Sequence, residues 1–222
     1  MLCNSGKMDI NLICIIAKYG SGSKLLHAAK KCGVHGGTIL LGRGTVNNRI
    51  CKFLGLSDER KEVVLMVADT ATADCALEKL NKDCELDKPD HGIAFTTSIC
   101  ATFGTRYYVF DNIKELRSVD NTMYHAITII VDKGKAEEVI DAASKAGSKG
   151  GTIINARGSG IHETSKLFSM EIEPEKELVI ILSEVAMTEK IVSSIKEELK
   201  IDEPGNGIIY VQNVNKTYGI YK

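Results

Sequence analysis

Apolar and polar positions recur along the chain with two periods, and these periods predict strands and helices in a fixed order. Runs of apolar, often β-branched residues predict strands, and apolar residues three or four places apart predict amphipathic helices, as with Leu25, Ala28 and Cys32. The predicted order is β-α-β-β-α-β, then a connector, then the same order again. Strands are predicted at 10–17, 36–44, 62–69, 93–99, 124–131, 149–156, 177–182 and 208–214, and helices at 24–32, after a cap at Thr70, around 136–143 and around 192–199.

The second strand of each half carries a repeated sequence. Residues 36–44 are GGTILLGRG and residues 150–158 are GGTIINARG, so six of nine positions are identical at a shift of 114. After the following loop the shift becomes 115, which pairs Gly92 with Gly207. A one-residue slip inside a strand would turn every side chain to the other face, so a length change confined to a loop fits duplication of one unit.

The order β-α-β-β-α-β is that of the split β-α-β, or ferredoxin-like, sandwich. The sequence therefore predicts an α+β protein made of two tandem ferredoxin-like units. The first repeat is predicted at 9–104, a connector at 105–122 and the second repeat at 123–222.

Composition narrows the classes of partner. The 222 residues include 28 basic and 29 acidic side chains, which gives no net attraction to nucleic acid or to an anionic membrane. No apolar run approaches the roughly 18–20 residues of a membrane span, so no membrane insertion and a cytoplasmic location are predicted. The seven cysteines are odd in number, lack C-x-x-C spacing and all lie in the first half. They are predicted to be small apolar fillers in a reducing compartment.

Two arginines are the first candidates for binding chemistry. Arg43 lies between Gly42 and Gly44 at the end of one predicted strand, and Arg157 lies before Gly158 at the end of another. A guanidinium beside exposed backbone N–H groups suits a phosphate or a carboxylate. The alternative is an arginine that bonds carbonyl groups of its own loop.

The turns before the fourth strands are the second candidates. Pro89, His91 and Gly92 form the first turn, and Gly205 and Gly207 belong to the second. Such turns bring backbone N–H groups together and suit an anion. A tight turn whose glycine supplies a positive φ is the alternative that needs no ligand.

Lys61 and Lys176 lie at the start of the third strand of each repeat. Each is predicted to lie either beside the same anion site or simply in solvent. No nucleophile, base and orienting group recur in both copies, so catalysis is not predicted. The third strands lack the aromatic residues of an RNA-binding ferredoxin fold, and no Cys or His pairing indicates a metal site.

On these features the chain resembles the PII signalling family of nitrogen regulation. The resemblance rests on Gly33 and Gly147 at the end of each first helix, the long loops 43–60 and 157–175, and the glycine turns before the fourth strands. It covers both halves. It implies a trimer whose clefts bind an adenine nucleotide (ATP, ADP or AMP) and whose long loops reach a regulated transporter or enzyme.

The chain also departs from the family pattern. The lysine that the family carries after the second turn glycine is replaced by Ile93 and Ile208, and neither long loop contains a tyrosine for uridylylation. Two functions therefore stay open. One is a non-catalytic sensor that binds a small anionic effector between repeats and regulates a partner through the loops. The other is a ligand-free assembly or partner-binding module that kept the fold.

Overall fold

The computed structural model describes residues 9–45, 58–86, 88, 91–105, 123–160, 165–167, 170–214 and 217, without the side chains of 43–45, 58–59, 165–167 and 170–172. Within these ranges the order β-α-β-β-α-β is confirmed in both repeats, with short strands added. In the first repeat the elements are β1 (Ile10–Lys18), α1 (Gly22–Lys30), β2 (Gly37–Thr45), β3 (Asp58–Asp69), α2 (Thr70–Cys84), β4 (Ile93–Ile99) and β5 (Ala101–Phe103). In the second repeat they are β6 (Tyr124–Asp132), α3 (Ala136–Lys145), β7 (Thr152–Ser159), β8 (Ser165–Leu167), β9 (Met170–Ile172), β10 (Glu175–Glu184), α4 (Val185–Leu199) and β11 (Ile208–Val214).

The first compact unit comprises Met1–Ser98 and Ala156–Pro174. Its strands lie in the ferredoxin-like order β4-β1-β3-β2, with the end of β7 beside β2. The β1–β3 and β2–β3 pairs are antiparallel. In the antiparallel β2–β7 pair, Ile39 lies opposite Arg157. The start of the loop 157–175 therefore belongs to the sheet of this unit.

Helices α1 and α2 cover the sheet of the first unit with an apolar core. Their inward positions follow the helical period, and those of β1 and β3 alternate along each strand. Full burial of each large aliphatic side chain contributes roughly 1.5–3 kcal/mol to folding. The core comprises Ile13, Ile15, Ala17, Leu25, Leu26, Ala29, Val34, Ile39, Val64, Met66, Ala68, Ala73, Ala76 and Leu80.

The second compact unit comprises Ile99–Asn155 and Glu175–Lys222. Its strands lie in the order β7-β10-β6-β11-β5, which is the same arrangement with one extra strand at the edge. Helices α3 and α4 supply the apolar core with residues such as Val139, Val192 and Ile195. The domain bounds predicted from the repeat, 9–104, 105–122 and 123–222, follow chain order and stay a prediction.

Several predicted boundaries are wrong. The loop predicted at 43–60 is shorter, because β2 continues to Thr45 and β3 already begins at Asp58. An antiparallel ladder pairs these polar residues through their backbones, so polarity does not end the strands. The loop predicted at 157–175 contains the short antiparallel pair β8–β9.

Two further differences concern single elements. Helix α2 is capped by Asp69, whose carboxylate accepts a hydrogen bond from the Thr72 N–H at 2.9 Å, and Thr70 is the first helical residue. The strand β5 follows β4 after one residue and was not predicted. A short strand predicted at 107–110 lies outside the described residues.

Candidate functional site

A buried carboxylate lies at the N-terminus of α1. Glu62, in β3, is 1% exposed, and its Oε2 accepts a hydrogen bond from the Gly22 N–H at 2.6 Å. The N-cap residue Ser21 makes no side-chain capping bond in the described structure. The first turn of a helix presents unpaired N–H groups and the positive end of the helix dipole, both of which stabilise a carboxylate. Glu62 therefore caps α1 from a neighbouring strand.

The second repeat contains the same arrangement. Glu177, in β10, accepts hydrogen bonds from the Gly134 and Ala136 N–H groups, both at 2.9 Å. The side chain of the N-cap residue Lys135 likewise does not cap α3 within the described residues. Glu177 corresponds to Glu62 at the shift of 115. Capping from the third strand is thus a feature of the repeated unit.

Arg157 makes the two capping sites different. In the first compact unit, its guanidinium forms an ion pair with the capping carboxylate of Glu62. Its Nη2 donates to Glu62 Oε1 at 2.7 Å, and its Nη1 donates to Glu173 Oε2 at 2.6 Å. Nη1 also lies 3.2 Å from Ser23 Oγ, which donates to Glu173 at 3.0 Å. We name Ser23, Glu62, Arg157 and Glu173 the arginine cluster.

The arginine cluster is half-buried and carries more negative than positive charge. The Arg157 side chain is 35% exposed, Glu62 1% and Glu173 10%. One guanidinium and two carboxylates sum to a charge of −1. Both sides of the planar guanidinium fork are occupied by carboxylate oxygens, as this donor geometry favours. An anion that binds at Nη1 or Nη2 therefore competes with a carboxylate for Arg157.

The cluster lies at the base of the loop 157–175. The Gly158 N–H donates to the Pro174 carbonyl at 3.0 Å, next to the Arg157–Glu173 ion pair. A Cβ atom at Gly158 would collide with the Gly37 carbonyl oxygen, so the close approach of β2 and β7 requires glycine here. The two ends of the loop are thus fixed together by one backbone bond and one ion pair.

The residues of the first repeat that correspond to Arg157 and its neighbours lie in the β2–β3 ladder. Gly42 lies opposite Lys61, and Arg43 lies opposite Arg60. A Cβ atom at Gly42 would make only ordinary contacts, the nearest at 3.7 Å. The Arg43 side chain lies outside the described part of the chain, and Gly44 is described by its backbone alone. A binding role for these residues stays a prediction.

The turn glycines occupy positions where the backbone needs glycine. Gly92 has φ +131°, and a Cβ atom there would lie 2.6 Å from the Ile16 carbonyl oxygen. Gly207 repeats this geometry with φ +142° and the Ile130 carbonyl oxygen at 2.6 Å. Gly205 has φ +94° and open space around it. Turn geometry alone accounts for these glycines, and anion binding by the turns is untested.

Two of the remaining predicted positions have partners of their own. His91 Nδ1 lies 3.1 Å from the Cys84 carbonyl oxygen, at the end of α2. Lys176 pairs with Asp132 across the β6–β10 ladder at 2.5 Å. Pro89 lies outside the described residues.

Sequence reasoning missed Glu62, Glu173 and Ser23. For Glu62 a signal was present, because it shares the parity of the inward residues Val64 and Met66 along β3. A charged residue at a core position of a strand needs a partner. The prediction instead singled out its neighbour Lys61.

The prediction for the cysteines holds only in part. Cys14 is buried in β1, and burial raises the pKa of its thiol. Cys75 is exposed, so the filler interpretation is wrong for it. Within the described ranges, no three His, Cys, Asp or Glu side chains form a group suited to a metal ion.

Residues 124–222 match the family model described as Nitrogen regulatory protein P-II. The chain is therefore related to the PII family. The relationship rests on the second repeat, and it confirms the resemblance inferred from the glycine and loop pattern. A search of curated proteins found no match.

Solved structures of PII proteins are among those similar to this chain. PII of Arabidopsis thaliana bound to citrate shows 22% identity over 43% of this chain and 81% of its own, with a TM-score of 0.35. The GlnK–ATP complex of B. subtilis shows 16% identity over 46% of this chain and 91% of its own, with a TM-score of 0.34. The regulatory subunit of aspartate kinase from Thermus thermophilus shows 14% identity over 86% and 93%, with a TM-score of 0.35.

None of the four helices in the described ranges combines the length and apolar character of a membrane span.

Proposed function

We propose that this protein is a non-catalytic PII-type regulator. In this proposal it senses a small anionic effector at Arg157, and at Arg43 in the first repeat, and regulates an enzyme or transporter through the loops 43–60 and 157–175. The relationship of residues 124–222 to the nitrogen regulatory P-II family supports this function and a place in nitrogen metabolism. The observation that carries it is the position of Arg157 at the base of its loop, paired with Glu173 from the other end.

The arginine cluster supports a route from effector to loop. Glu62 is fully buried and also held by the Gly22 N–H, whereas Glu173 is the more exposed of the two carboxylates. An anionic effector therefore replaces Glu173 at Nη1 of Arg157 and leaves the pair with Glu62 intact. Such an exchange preserves the number of ion pairs, and it releases one end of the loop. Ordering or release of a loop is a common route from ligand to partner.

The size of the response depends on how much more tightly the effector binds one state of the loop than the other. A ligand shifts a conformational equilibrium only by as much as its differential affinity for the two states. In this proposal the effector binds only where Glu173 has left Arg157. Removing the Glu173 charge should therefore strengthen effector binding, because the internal competitor is gone.

Titration calorimetry with ATP, ADP, AMP and citrate tests the proposal. These probes present phosphate or carboxylate groups, and two of them occur in the structures of the Arabidopsis and B. subtilis proteins. We expect at least one probe to bind, Arg157→Gln to weaken it at least about tenfold, and Glu173→Gln to tighten it about three- to tenfold, equivalent to roughly 0.7–1.4 kcal/mol.

The matched control is Glu175→Gln. Glu175 is an exposed acid close in sequence to Glu173 that pairs with Lys133, so its replacement changes the net charge equally without touching Arg157. Its affinity should equal that of the wild type. Absence of heat with all four probes at millimolar concentration contradicts the proposal, and so does an equal effect of Glu173→Gln and Glu175→Gln.

A ligand-free assembly or partner-binding module is the second candidate. Arg157 already has two carboxylate partners, and Ile93 and Ile208 stand where the family carries lysine. Under this alternative, the double variant Arg43→Ala/Arg157→Ala should purify the same partner from cells as the wild type does. Loss of that partner only in the double variant favours the sensor.

A further inference from the structure

Two cysteines of the first compact unit lie close together, one at the end of α1 and the other on α2. Cys32 lies in the turn that ends α1, where its N–H donates to the Ala29 carbonyl oxygen at 2.9 Å. Cys75 lies in the second turn of α2. The Cys32 Sγ lies 3.7 Å from the Cys75 carbonyl oxygen, and both cysteines are free thiols. The end of α1 therefore contacts α2 at a second cysteine.

The neighbouring backbone supports the same contact. Gly33, the next residue after Cys32, has φ +98°, and a Cβ atom at this position would lie 3.7 Å from the Thr72 Cγ2 atom. Thr72 and Cys75 are three residues apart on α2 and share one face of the helix. Two consecutive residues at the end of α1 thus lie against one face of α2, which fixes the spacing of the two cysteine backbones.

The two thiols also interact with each other. Burial raises the pKa of the Cys32 thiol, and a hydrogen bond to the Cys75 side chain raises it further. Cysteine side chains that interact through their sulfur atoms have their Cα–Cβ bonds directed toward each other. This is the arrangement that a disulfide requires, because cysteines whose side chains point apart cannot be joined without movement of the backbone.

The two thiols differ in their access to solvent. Cys75 is exposed, whereas Cys32 is partly buried. The Lys79 ammonium, one helical turn after Cys75, opposes the rise in the Cys32 pKa, and the Asp83 carboxylate that pairs with Lys79 at 3.1 Å adds to it. An oxidant in solution therefore meets Cys75 first, and Cys32 is the second thiol to react.

We propose that Cys32 and Cys75 form a redox site whose substrate is a hydroperoxide, and that oxidation joins α1 to α2 by a reversible disulfide. The Cys75 thiolate attacks the peroxide, so that an S–O bond forms, the O–O bond breaks, and the leaving oxygen takes up the proton from Cys75. The Cys32 sulfur then attacks the sulfenic sulfur. The S–S bond forms, the S–O bond breaks, and hydroxide leaves as water with the proton of Cys32.

The balance of this reaction is complete. Two thiols lose two electrons and two protons, and the hydroperoxide is reduced to water and an alcohol, or to two waters when it is hydrogen peroxide. A thiol reductant reverses the reaction by attack on the disulfide, through a mixed disulfide. A disulfide that forms and is reduced again in this way is typical of redox sensing.

The positions of the other ligands and thiols favour this pair and this chemistry. Within the described ranges, no third His, Cys, Asp or Glu completes a group suited to a metal ion at these two cysteines. Cys84 lies 84 − 75 = 9 residues further along α2, roughly 13 Å along the helix axis. A Cys32 thiol that lies against Cys75 is therefore out of reach of Cys84.

The second repeat does not keep the pair. Ala146 corresponds to Cys32 at the shift of 114, and Lys190 corresponds to Cys75 at the shift of 115. Oxidation therefore distinguishes the first unit from the second. The redox proposal does not depend on effector binding, since neither thiol belongs to the arginine cluster.

Peroxide oxidation followed by peptide mapping tests the proposal. Reduced protein is freed of reductant and treated with hydrogen peroxide, its remaining thiols are blocked with iodoacetamide, and it is digested with trypsin. Cleavage after Lys and Arg places Cys32 and Cys75 in separate fragments, 32–43 and 62–79, each with one cysteine. We expect the disulfide-linked pair of these fragments, isolated from the single-chain band of a non-reducing gel, to be at least about tenfold more abundant than any other cysteine pairing, because the fold gives the two thiols a high effective concentration.

Three variants separate the roles of the thiols. In Cys32→Ser, Cys75 has no thiol partner, so its sulfenic acid should accumulate and react with dimedone. Cys75→Ser should give much less dimedone labelling of Cys32. The matched control is Cys84→Ser, which removes a partly buried thiol from the same helix and should form the 32–75 disulfide in the yield of the wild type. Thermal melts of the reduced proteins check that each variant folds.

Three results overturn the proposal. Absence of the linked fragments after peroxide treatment of the folded wild type shows that the two thiols do not join. An equal share of the 32–75 pairing in folded protein and in protein unfolded with guanidinium shows that the fold does not favour it. A loss of the linked fragments in Cys84→Ser as large as that in Cys75→Ser assigns the oxidation to another pair.

Discussion

The buried Glu62 carboxylate allows a sharp test of how the first unit is held together. The substitution Glu62→Gln keeps the shape of the side chain and removes its charge. The amide oxygen can still accept from the Gly22 N–H, but the amide NH₂ then faces Nη2 of Arg157, donor against donor. The variant therefore loses the ion pair with Arg157 and gains a buried contact between two hydrogen-bond donors.

The size of the effect follows from the contacts. Breaking a buried ion pair costs about 3–5 kcal/mol, and a hydrogen bond to a charged group contributes about 1.5–3 kcal/mol. Arg157 is 35% exposed and keeps its pair with Glu173, which reduces the loss. We expect Glu62→Gln to lower the free energy of unfolding by about 2–4 kcal/mol.

The control for this prediction is Glu177→Gln in the other repeat. Glu177 caps α3 through the Gly134 and Ala136 N–H groups, and no described arginine reaches it. A Gln oxygen can accept both bonds, so the loss should stay at or below about 1 kcal/mol, as for a helix cap.

Guanidinium unfolding followed by far-ultraviolet circular dichroism measures both variants. With a denaturant slope of roughly 2–6 kcal/mol/M, a loss of about 3 kcal/mol moves the midpoint by roughly 0.5–1.5 M. The reasoning is refuted if Glu62→Gln costs no more than Glu177→Gln, because the Arg157 pair would then contribute nothing. Sodium chloride should reduce the difference only weakly, since burial limits screening.

Three further predictions test single positions. Gly207→Ala should lower the free energy of unfolding by about 1–3 kcal/mol in a thermal melt, because its φ is +142° and a Cβ would meet a carbonyl oxygen at 2.6 Å; Gly205→Ala, with open space around it, should cost less. Asp69→Ala should cost about 1 kcal/mol, because the Thr72 N–H loses its acceptor. Burial lowers the pKa of His125, so the folded protein binds fewer protons than the unfolded chain, and stability should fall as the pH falls from about 6.5 toward that lowered pKa. In His125→Asn, the free energy of unfolding measured with denaturant should fall less between pH 7.5 and pH 5.5 than it does in the wild type.

The internal repeat made much of the fold predictable. β4 has the predicted bounds, Ile93–Ile99, because turn residues precede it and its apolar run is short. The long loops were predicted less well, since polar residues at the ends of β2 and β3 pair through their backbones. No local pattern distinguishes a polar strand end from a polar loop.

The candidate site was predictable only as single residues. Arg157 was singled out because both repeats keep it, but its partner Glu62 lies 95 positions away along the chain. The register between β2 and β7 brings them together, with Ile39 opposite Arg157. β5 was missed for the same reason, because three residues form a strand only where an edge is available to pair with them.

The first compact unit is completed by a late stretch of chain, Ala156–Pro174, and this has a consequence for synthesis on the ribosome. Between the end of its first stretch, Ser98, and Pro174 the ribosome adds 174 − 98 = 76 residues. At about 5–20 residues per second, this takes roughly 4–15 s. For most of that interval the nascent first half lacks the strand that pairs with β2 and the arginine that neutralises Glu62, because β7 and Arg157 are added only toward its end. We expect it to be the stage at which a newly made chain depends most on chaperones.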